Sequence, residues 1–158
     1  MSNGNVFISG ASRGIGNSIA YHFAETDYVV VGTSRNEFEF DKKIKNLIPL
    51  KLDVTSREDI QNCFNDLKTK NLLPDILINN AGITSDQIFL RMKDEEWDKV
   101  IDTNLNGVFN LSKIFVKNMI KNKKGRIINI SSISGLMGNP GQVNYSSSKS
   151  ALNGFTKS

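Results

Sequence analysis

The chain reads Ser9-Gly10-Ala11-Ser12-Arg13-Gly14-Ile15-Gly16 directly after its first apolar run, Val6–Ile8, and apolar residues at helical spacing follow at once. Glycines allow a tight turn and let backbone N–H groups approach an anion closely, at a helix N-terminus whose partial positive charge favours that anion. The segment therefore predicts a strand, a pyrophosphate-binding turn and a helix, in that order. Taken alone, it is also compatible with a purely structural turn between a strand and a helix.

Short apolar runs alternate with helical patterns along the remaining chain. Five runs predict β-strands, at Val6–Ile8, Val29–Val31, Ile48–Leu52, Ile76–Ile78 and Ile127–Ile130. Three longer segments predict helices, at Gly14–Ala24, Ser56–Lys68 and Asp94–Lys121. This alternation is typical of the α/β class, and it predicts a Rossmann-like doubly wound parallel sheet in a single domain that covers residues 1–158.

Two connecting segments have patterns of their own. Asn36–Asn46, between the second and third strands, is short for a helix that covers the sheet, so we expect a turn or two at most. Gly135–Gly141 contains three glycines and Pro140, which predicts a loop. This loop leads into a last helical pattern that carries Tyr145 and Lys149.

The composition is that of an ordinary globular protein, with 39% hydrophobic and 23% charged residues. No stretch approaches the roughly 18 consecutive apolar residues of a membrane span. Residues 1–5 include no basic region followed by an apolar run, and the single Cys63 excludes an intramolecular disulfide framework. We therefore expect a cytoplasmic protein with no membrane partner and no bound metal.

The formal net charge is +4, and part of the excess lies in one basic segment made of Lys117, Lys121, Lys123, Lys124 and Arg126. One interpretation is a solvated helix end whose lysines favour the negative pole of the helix dipole. The other is a landing site for an acidic partner or substrate. Nucleic acid is not expected as a partner, because no aromatic residues interleave with these lysines.

A second candidate site is Tyr145-Ser-Ser-Ser-Lys149, with Ser132 thirteen positions upstream of the tyrosine. Residues i and i+4 share one face of a helix, so the ammonium group of Lys149 is expected beside the phenol. A neighbouring positive charge makes the phenol easier to ionise. Such a phenol suits proton transfer during carbonyl reduction or alcohol oxidation near neutral pH.

The residues after the second strand indicate which dinucleotide fits the turn. A carboxylate at that place would bind the ribose 2′-hydroxyl of NAD and repel a 2′-phosphate. The chain instead reads Gly32-Thr33-Ser34-Arg35, with no acid. Arg35 and Arg13 offer guanidinium groups suited to phosphate, which favours NADP(H). The alternative interpretation is that Arg35 is an ordinary solvent-exposed arginine.

Further motifs follow in a fixed order: Leu52-Asp53-Val54-Thr55 after the third strand, Asn79-Asn80-Ala81-Gly82 after the fourth, Asn104, and then Ser132, Tyr145 and Lys149. Together with the glycine-rich turn, they resemble the motifs of the short-chain dehydrogenase/reductases. Within that family, four segments look like those of the bacterial 3-oxoacyl-[acyl-carrier-protein] reductases: 80–84, 91–97, 125–132 and 138–145.

The resemblance implies a role for each matching position. Tyr145 would be the general acid that protonates a carbonyl oxygen, Lys149 would bind the nicotinamide ribose, and Ser132 would hydrogen-bond the substrate oxygen. Asn104 would hold a water that links Lys149 to solvent, and Gln142 would touch the substrate. The expected cofactor-binding residues are Gly10, Ser12, Arg13, Gly14, Ile15, Gly16, Arg35, Asp53, Val54, Asn80, Ala81, Gly82, Tyr145 and Lys149.

The activity that the resemblance implies is NADPH-dependent reduction of 3-oxoacyl-[acyl-carrier-protein] to the 3-hydroxyacyl form in fatty-acid biosynthesis. An acyl carrier protein, which is acidic, would then dock on the basic segment. One alternative is a family member that acts on acetoacetyl-CoA or a small ketone or alcohol. Another is a non-catalytic nucleotide-binding module.

The family fold also implies parts that this sequence is expected to lack. Relatives continue past the position of Ser158 with two more parallel strands, a loop that touches the nicotinamide, and a lid over the substrate. We therefore expect the 158-residue chain alone to bind NADPH weakly and to turn over slowly. Relatives assemble through the helices that match Asp94–Lys121 and the segment from Asn144 onward, so a homotetramer is expected for a full-length form.

Overall fold

The computed structural model describes residues 2–158. Its five strands are β1 (Asn5–Ser9), β2 (Val29–Ser34), β3 (Leu47–Lys51), β4 (Ile76–Asn79) and β5 (Arg126–Asn129). All neighbouring strands pair in parallel, in the order β3-β2-β1-β4-β5. The predicted doubly wound parallel sheet is confirmed, and each predicted strand is present within a few residues.

Six α-helices connect and cover the strands: α1 (Gly14–Glu25), α2 (Arg57–Thr69), α3 (Asp94–Ile101), α4 (Gly107–Lys121), α5 (Ser134–Met137) and α6 (Val143–Lys157). A short 3₁₀ turn lies at Phe89–Arg91. The start of α2 follows from its sequence, because the Ser56 hydroxyl accepts a hydrogen bond from the Asp59 N–H and two acids occupy the first turn.

Two predicted boundaries are wrong. The single helix expected at Asp94–Lys121 is interrupted by a π turn at Asp102–Asn106, which separates α3 from α4. Buried residues keep spacings of three and four across this turn, at Val100, Thr103, Asn104, Gly107 and Val108, so the pattern alone gives no warning. The loop expected at Gly135–Gly141 begins inside α5, because backbone hydrogen bonds of the Leu136, Met137 and Gly138 amides close helical turns there.

The core lies on both faces of the sheet because successive side chains of β1 point in opposite directions. Phe7 packs on one face with Leu77, Leu111 and Phe115, beneath α2 and α4. Val6 and Ile8 pack on the other face, in the cluster that contains Ala20 of α1. Burial on both faces explains why β1 and β2 read as continuous apolar runs rather than as alternating ones.

The segment between β2 and β3 covers the sheet without a helix, as predicted for Asn36–Asn46. Phe40 is buried and meets the Tyr21 ring edge-on, with 5.9 Å between the centroids, and it also packs on Phe38 at 5.0 Å. Its ring lies directly over Gly32 of β2. Two aromatic side chains therefore supply the apolar cover that a helix gives elsewhere.

The strand order places a crevice between β1 and β4. From β1 the chain winds outward through β2 and β3, then returns to β4 and β5 on the other side. Ligands of open α/β sheets bind at such a reversal, outside the carboxyl ends of the strands. None of the helices in residues 2–158 is both long and apolar enough to cross a membrane.

Candidate active site

The glycine-rich turn lies at the carboxyl end of β1 and is fixed mainly by backbone contacts. Gly10 has a φ of +72°, and a Cβ there would lie 2.9 Å from the Ala81 Cα. The Asn80 amide donates to the carbonyl oxygens of Ser9 (3.0 Å) and Gly10 (2.9 Å). Asn80 therefore ties the ends of β1 and β4 together across the crevice.

Gly16 is buried beneath this turn and does not line its open side. A Cβ at Gly16 would collide with the Gly10 carbonyl oxygen and with the Asn80 Nδ2. The first turn of α1 can therefore pack against the loop only if residue 16 has no side chain. Gly16 shapes the site, while its neighbours are positioned to contact a ligand.

A cleft of about 340 Å³ opens above the turn. Ten of the predicted cofactor residues line it: Gly10, Ser12, Arg13, Gly14, Ile15, Arg35, Val54, Asn80, Ala81 and Gly82. The structure thus gathers residues from the ends of β1, β2 and β4 and from the segment after β3 around one concave surface. Both arginines are exposed at this surface, where their guanidinium groups can meet an anion.

Sequence reasoning missed five residues that line the same cleft: Thr33, Ser34, Leu52, Ile83 and Thr103. Thr33 and Ser34 end β2 immediately before Arg35, so their position after a strand was a usable signal. Thr103 lies in the π turn, which no sequence pattern indicated. The Thr33 hydroxyl is buried and has no hydrogen-bond partner in residues 2–158.

Asp53 is not among the residues that line the cleft, although its neighbours Leu52 and Val54 are. Its Oδ1 accepts hydrogen bonds from the backbone N–H (2.9 Å) and the hydroxyl (2.8 Å) of Thr55. One carboxylate oxygen is therefore used to shape the turn before α2. The other oxygen is left free of this turn for the cofactor contact that the family resemblance implies.

Tyr145 and Lys149 lie on one face of α6, as their spacing predicted. The Lys149 Nζ is 5.8 Å from the centroid of the Tyr145 ring and donates to the Ile130 carbonyl at 2.7 Å. Lys149 is buried, and burial lowers its pKa from the ordinary lysine value because an ammonium loses hydration there. A Cβ on Gly82 would lie 3.5 Å from this Nζ, so the cleft and the lysine adjoin.

Asn104 lies in the π turn and is completely buried. Its Oδ1 accepts from the Ile83 N–H (2.8 Å), and its Nδ2 donates to the Ile83 carbonyl (3.0 Å) and the Ser148 hydroxyl (3.1 Å). Both protons of the amide are thus used, by the segment after Gly82 and by α6. A water held at this position could bond only to the second lone pair of Oδ1 or to the main chain.

Ser132 and Gln142 flank α5 and lie near the start of α6. The Ser132 hydroxyl accepts a hydrogen bond from the Ser134 N–H at 3.2 Å, which leaves its own proton available for a substrate oxygen. The Gln142 amide donates to Asp86 (2.8 Å) and accepts from Asn139 (2.9 Å). Gln142 therefore ties two loops together, and only part of its amide is left for a substrate.

The basic segment lies elsewhere. Lys121 ends α4, Lys123 and Lys124 follow it, and Arg126 begins β5, whereas Ser132 follows the end of that strand. Lys124 also forms an ion pair with Asp75 at 3.3 Å. The basic segment thus faces the amino edge of the sheet and does not border the cleft of its own chain.

Cys63 lies in α2 and is not among the residues that line the cleft. Burial, followed by the charge of Asp66, raises the pKa of the Cys63 thiol to about 11, so it is protonated at neutral pH. Within residues 2–158 no three His, Cys, Asp or Glu side chains come together to hold a metal ion.

Comparison with known proteins identifies the family. The short chain dehydrogenase family model matches residues 4–158. The 3-oxoacyl-[acyl-carrier-protein] reductases FabG of Vibrio cholerae serotype O1 and Escherichia coli K12 are 43% and 44% identical over 155 residues, and each alignment covers 96% of this chain. The chain spans 64% of the length of these curated relatives.

A solved structure adds agreement at the level of the fold. A 4-hydroxyisoleucine dehydrogenase complexed with NADH is 38% identical, with a TM-score of 0.89 over 98% of this chain and 67% of that one. A second structure of that dehydrogenase, complexed with NADH and succinate, has a TM-score of 0.87. The chain belongs to the short chain dehydrogenase family.

Proposed function

We propose that this protein is a nicotinamide-dependent oxidoreductase that interconverts a carbonyl and a secondary alcohol. The observation that carries the proposal is the arrangement of Tyr145 and Lys149 on one face of α6, beside Gly82 at the wall of a glycine-rich cleft. A phenol next to a buried ammonium can give or take a proton, and the cleft can hold a dinucleotide next to it.

The residues of the cleft fit a dinucleotide. The Gly10–Gly16 turn is closed by contacts that leave no room for a Cβ at either end, and it lies at the N-terminus of α1. Backbone N–H groups at that terminus suit a pyrophosphate. Thr33 lines the same cleft, and its buried hydroxyl has no hydrogen-bond partner among residues 2–158, as expected of a group that bonds to a ligand.

We propose three roles for side chains near the carbonyl. A bound nicotinamide supplies the hydride that reduces the carbonyl carbon. Tyr145 donates the proton that the oxygen needs, and the Ser132 hydroxyl hydrogen-bonds to that oxygen as negative charge develops. The Lys149 ammonium lies 5.8 Å from the centroid of the Tyr145 ring, where it stabilises the negative charge left on the phenol oxygen after proton transfer.

NADPH is the proposed cofactor. No carboxylate follows β2, and Arg13 and Arg35 are both exposed at the lip of the cleft, next to Ser34. Two guanidinium groups stabilise a 2′-phosphate by charge and by paired hydrogen bonds. The cofactor named for the solved relatives is NADH, so affinities for both dinucleotides have to be compared directly.

The proposed substrate is a 3-oxoacyl thioester carried by an acyl carrier protein, because FabG proteins are 43–44% identical to this chain. The docking surface can be tested by changing Lys121 and Lys123 to Glu together, which leaves the Lys124–Asp75 pair intact. Selective loss of activity on the carrier-bound substrate, with the free thioester unaffected, supports docking on the basic segment. Equal effects on both substrates exclude it.

The test of the reaction is Tyr145→Phe. We expect NADPH to bind with unchanged affinity, as measured by its fluorescence, while NADPH oxidation with acetoacetyl thioester falls by about 10²- to 10⁴-fold. Tyr28→Phe, in a tyrosine that packs on Phe23 away from the cleft, is the matched control and should change neither quantity. Unchanged oxidation by Tyr145→Phe would exclude the phenol as the acid.

A small hydroxy or keto acid is the second candidate substrate, favoured by the close structural match to 4-hydroxyisoleucine dehydrogenase. A panel of carrier-bound thioester, CoA thioester and free ketones, each with NADPH and NADH, separates the two candidates. A protein that binds the dinucleotide and reduces none of these would instead be a non-catalytic binding module.

A further inference from the structure

Asn144 precedes Tyr145 in the first turn of α6 and is completely buried. Its Nδ2 donates to the carbonyl oxygens of Ser85 (3.0 Å) and Glu96 (3.3 Å), and its Oδ1 accepts from the backbone N–H of Tyr145 (2.7 Å). An asparagine amide has two N–H donors and one carbonyl acceptor. Every polar atom of this side chain is therefore paired.

The three partners of Asn144 belong to three different parts of the fold. Ser85 lies in the segment that leaves the cleft after Gly82, and Glu96 lies in the first turn of α3. Tyr145 is the proposed acid. Two further hydrogen bonds close the same junction, from the Gln142 Nε2 to Asp86 and from the Gln87 N–H to the Gly141 carbonyl.

We propose that Asn144 is a positioning residue that holds the Tyr145 phenol in the correct place relative to the dinucleotide cleft, a role that rests on the function proposed above. The N–H groups in the first turn of a helix have no partner within the helix. Asn144 satisfies that of Tyr145 and at the same time ties this turn to the chain leaving the cleft. Among the contacts that fix the distance between acid and cofactor site, that of Asn144 is the one bonded directly to the backbone N–H of Tyr145.

Removing the Asn144 amide has two physical consequences. The Ser85 and Glu96 carbonyls lose a buried donor, and the first turn of α6 loses its link to the cleft. The cleft itself keeps its glycine turn and the Asn80 contacts, which do not involve Asn144. Proton donation should therefore suffer while dinucleotide binding does not.

The experiment compares Asn144→Ala with the parent protein and with Asn153→Ala, a control on the same helix whose side chain makes no hydrogen bond in residues 2–158. We expect Asn144→Ala to bind NADPH within about threefold of the parent and to lose about 30- to 100-fold in kcat, with little change in KM for acetoacetyl thioester. Asn153→Ala should match the parent in all three quantities. The solvent deuterium isotope effect on kcat should rise only in Asn144→Ala, because proton transfer becomes slower than the other steps.

The same-sized variant Asn144→Asp adds a rescue test. At pH 8 a carboxylate has no donor for Ser85 or Glu96, so activity should fall at least as far as in Asn144→Ala. As the pH is lowered, the protonated carboxyl regains one O–H donor. The activity ratio of this variant to the parent should therefore recover, whereas that of Asn144→Ala should stay flat. A folded Asn144→Ala whose kcat and isotope effect equal those of the parent overturns the proposal.

A measurement that needs no reaction separates this inference from the proposed function. If the parent reduces no ketone, the proposed function fails, and hydrogen exchange still tests Asn144. We expect the Asn144 side-chain protons of the parent to exchange at least about tenfold more slowly than those of Asn153, because they are buried and hydrogen-bonded. This comparison stands even if both variants fail to fold. Equal exchange of the two side chains would overturn the proposed role.

Discussion

The glycine turn after β1 and the acid on α6 lie on either side of one cleft, but they are built differently. The turn is held by backbone geometry and by one side chain, Asn80, which reaches the carbonyls of Ser9 and Gly10. The acid is held by side-chain hydrogen bonds that tie α6 to other segments. Two come from the buried amides of Asn104 and Asn144, and a third from the exposed Ser131, whose hydroxyl donates to the Lys149 carbonyl at 2.9 Å.

This difference indicates that binding and chemistry can be lost separately. The glycine turn is formed mainly by backbone atoms, so it should tolerate changes of exposed side chains. It should not tolerate an added Cβ where the backbone makes a close contact. A site assembled by buried amides is sensitive to each amide, because an unpaired buried polar group costs about 1–3 kcal/mol. Mutations should therefore fall into two groups, according to the side of the cleft that they touch.

The largest effect is expected from a substitution on α6, next to the proposed acid Tyr145. Lys149→Met should reduce NADPH oxidation by about 10²- to 10⁴-fold, because the phenol loses its positive neighbour. The free energy of unfolding should not fall, since methionine relieves the cost of burying an ammonium in the fold. Steady-state kinetics and urea unfolding at pH 7 measure both quantities. A strongly destabilised variant would mean that the lysine is chiefly structural.

The next largest effect is expected from a substitution that disrupts the glycine turn after β1. Gly16→Ala should cost about 1–3 kcal/mol of stability, because the new methyl group overlaps the Gly10 carbonyl and the Asn80 amide. NADPH affinity should fall with it. Gly154→Ala in α6 is the matched control, since a Cβ there meets nothing within 4 Å. That control should gain up to about 1 kcal/mol in thermal or urea unfolding. Normal NADPH binding by Gly16→Ala would contradict the close packing beneath the turn.

A smaller effect is expected from a substitution that leaves the glycine turn folded and tests which dinucleotide it prefers. Arg35→Ala should weaken NADPH binding by about tenfold and leave NADH binding unchanged, because only the 2′-phosphate uses the guanidinium group. Titration of both dinucleotides by fluorescence measures the ratio. Arg126→Ala, at the amino edge of the sheet, serves as the control. If Arg35→Ala weakened both dinucleotides equally, Arg35 would have no role in choosing between them.

The smallest effect is a pH dependence of the free energy of unfolding that comes from Lys149 on α6. The pKa of Lys149 is lower in the fold than in the unfolded chain, so the unfolded chain binds this proton more tightly. The free energy of unfolding should therefore gain a contribution as pH rises from below the folded pKa toward the ordinary lysine value of 10.5. Urea unfolding between pH 7 and 10 should show this gain in the parent and not in Lys149→Met. The same slope in both proteins would rule out Lys149 as its source.

Much of the fold was predictable because its patterns are local. The apolar runs of β1 and β2, the glycine turn and the Ser56 cap each depend on residues close in sequence. The absence of a helix at Asn36–Asn46 was predictable from length. The π turn at Asp102–Asn106 was not, since the spacing of buried residues continues across it and the pairing of its Asn104 with Ile83 is long-range.

The candidate site divides in the same way. The cofactor turn and the Tyr145–Lys149 pair were found as motifs, because each chemical role needs particular residue types at short spacing. Thr33, Thr103 and Asn144 were missed, since their part in the site comes from where they lie in space. The basic segment was found as a charge pattern, but its position at the edge opposite the cleft followed only from the strand order.

The sequence by itself determined the βαβ order, the glycine turn, and a phenol and an ammonium on one helical face, since these depend on backbone sterics and helical period alone. The tertiary structure decided the distance between the glycine turn and the Tyr145 phenol. That distance depends on buried amides whose partners are far away in the chain, Asn104 with Ile83 and Asn144 with Ser85. A buried hydrogen bond of this kind is chosen by the folded geometry, because a polar group removed from water must pair with whatever the fold places beside it.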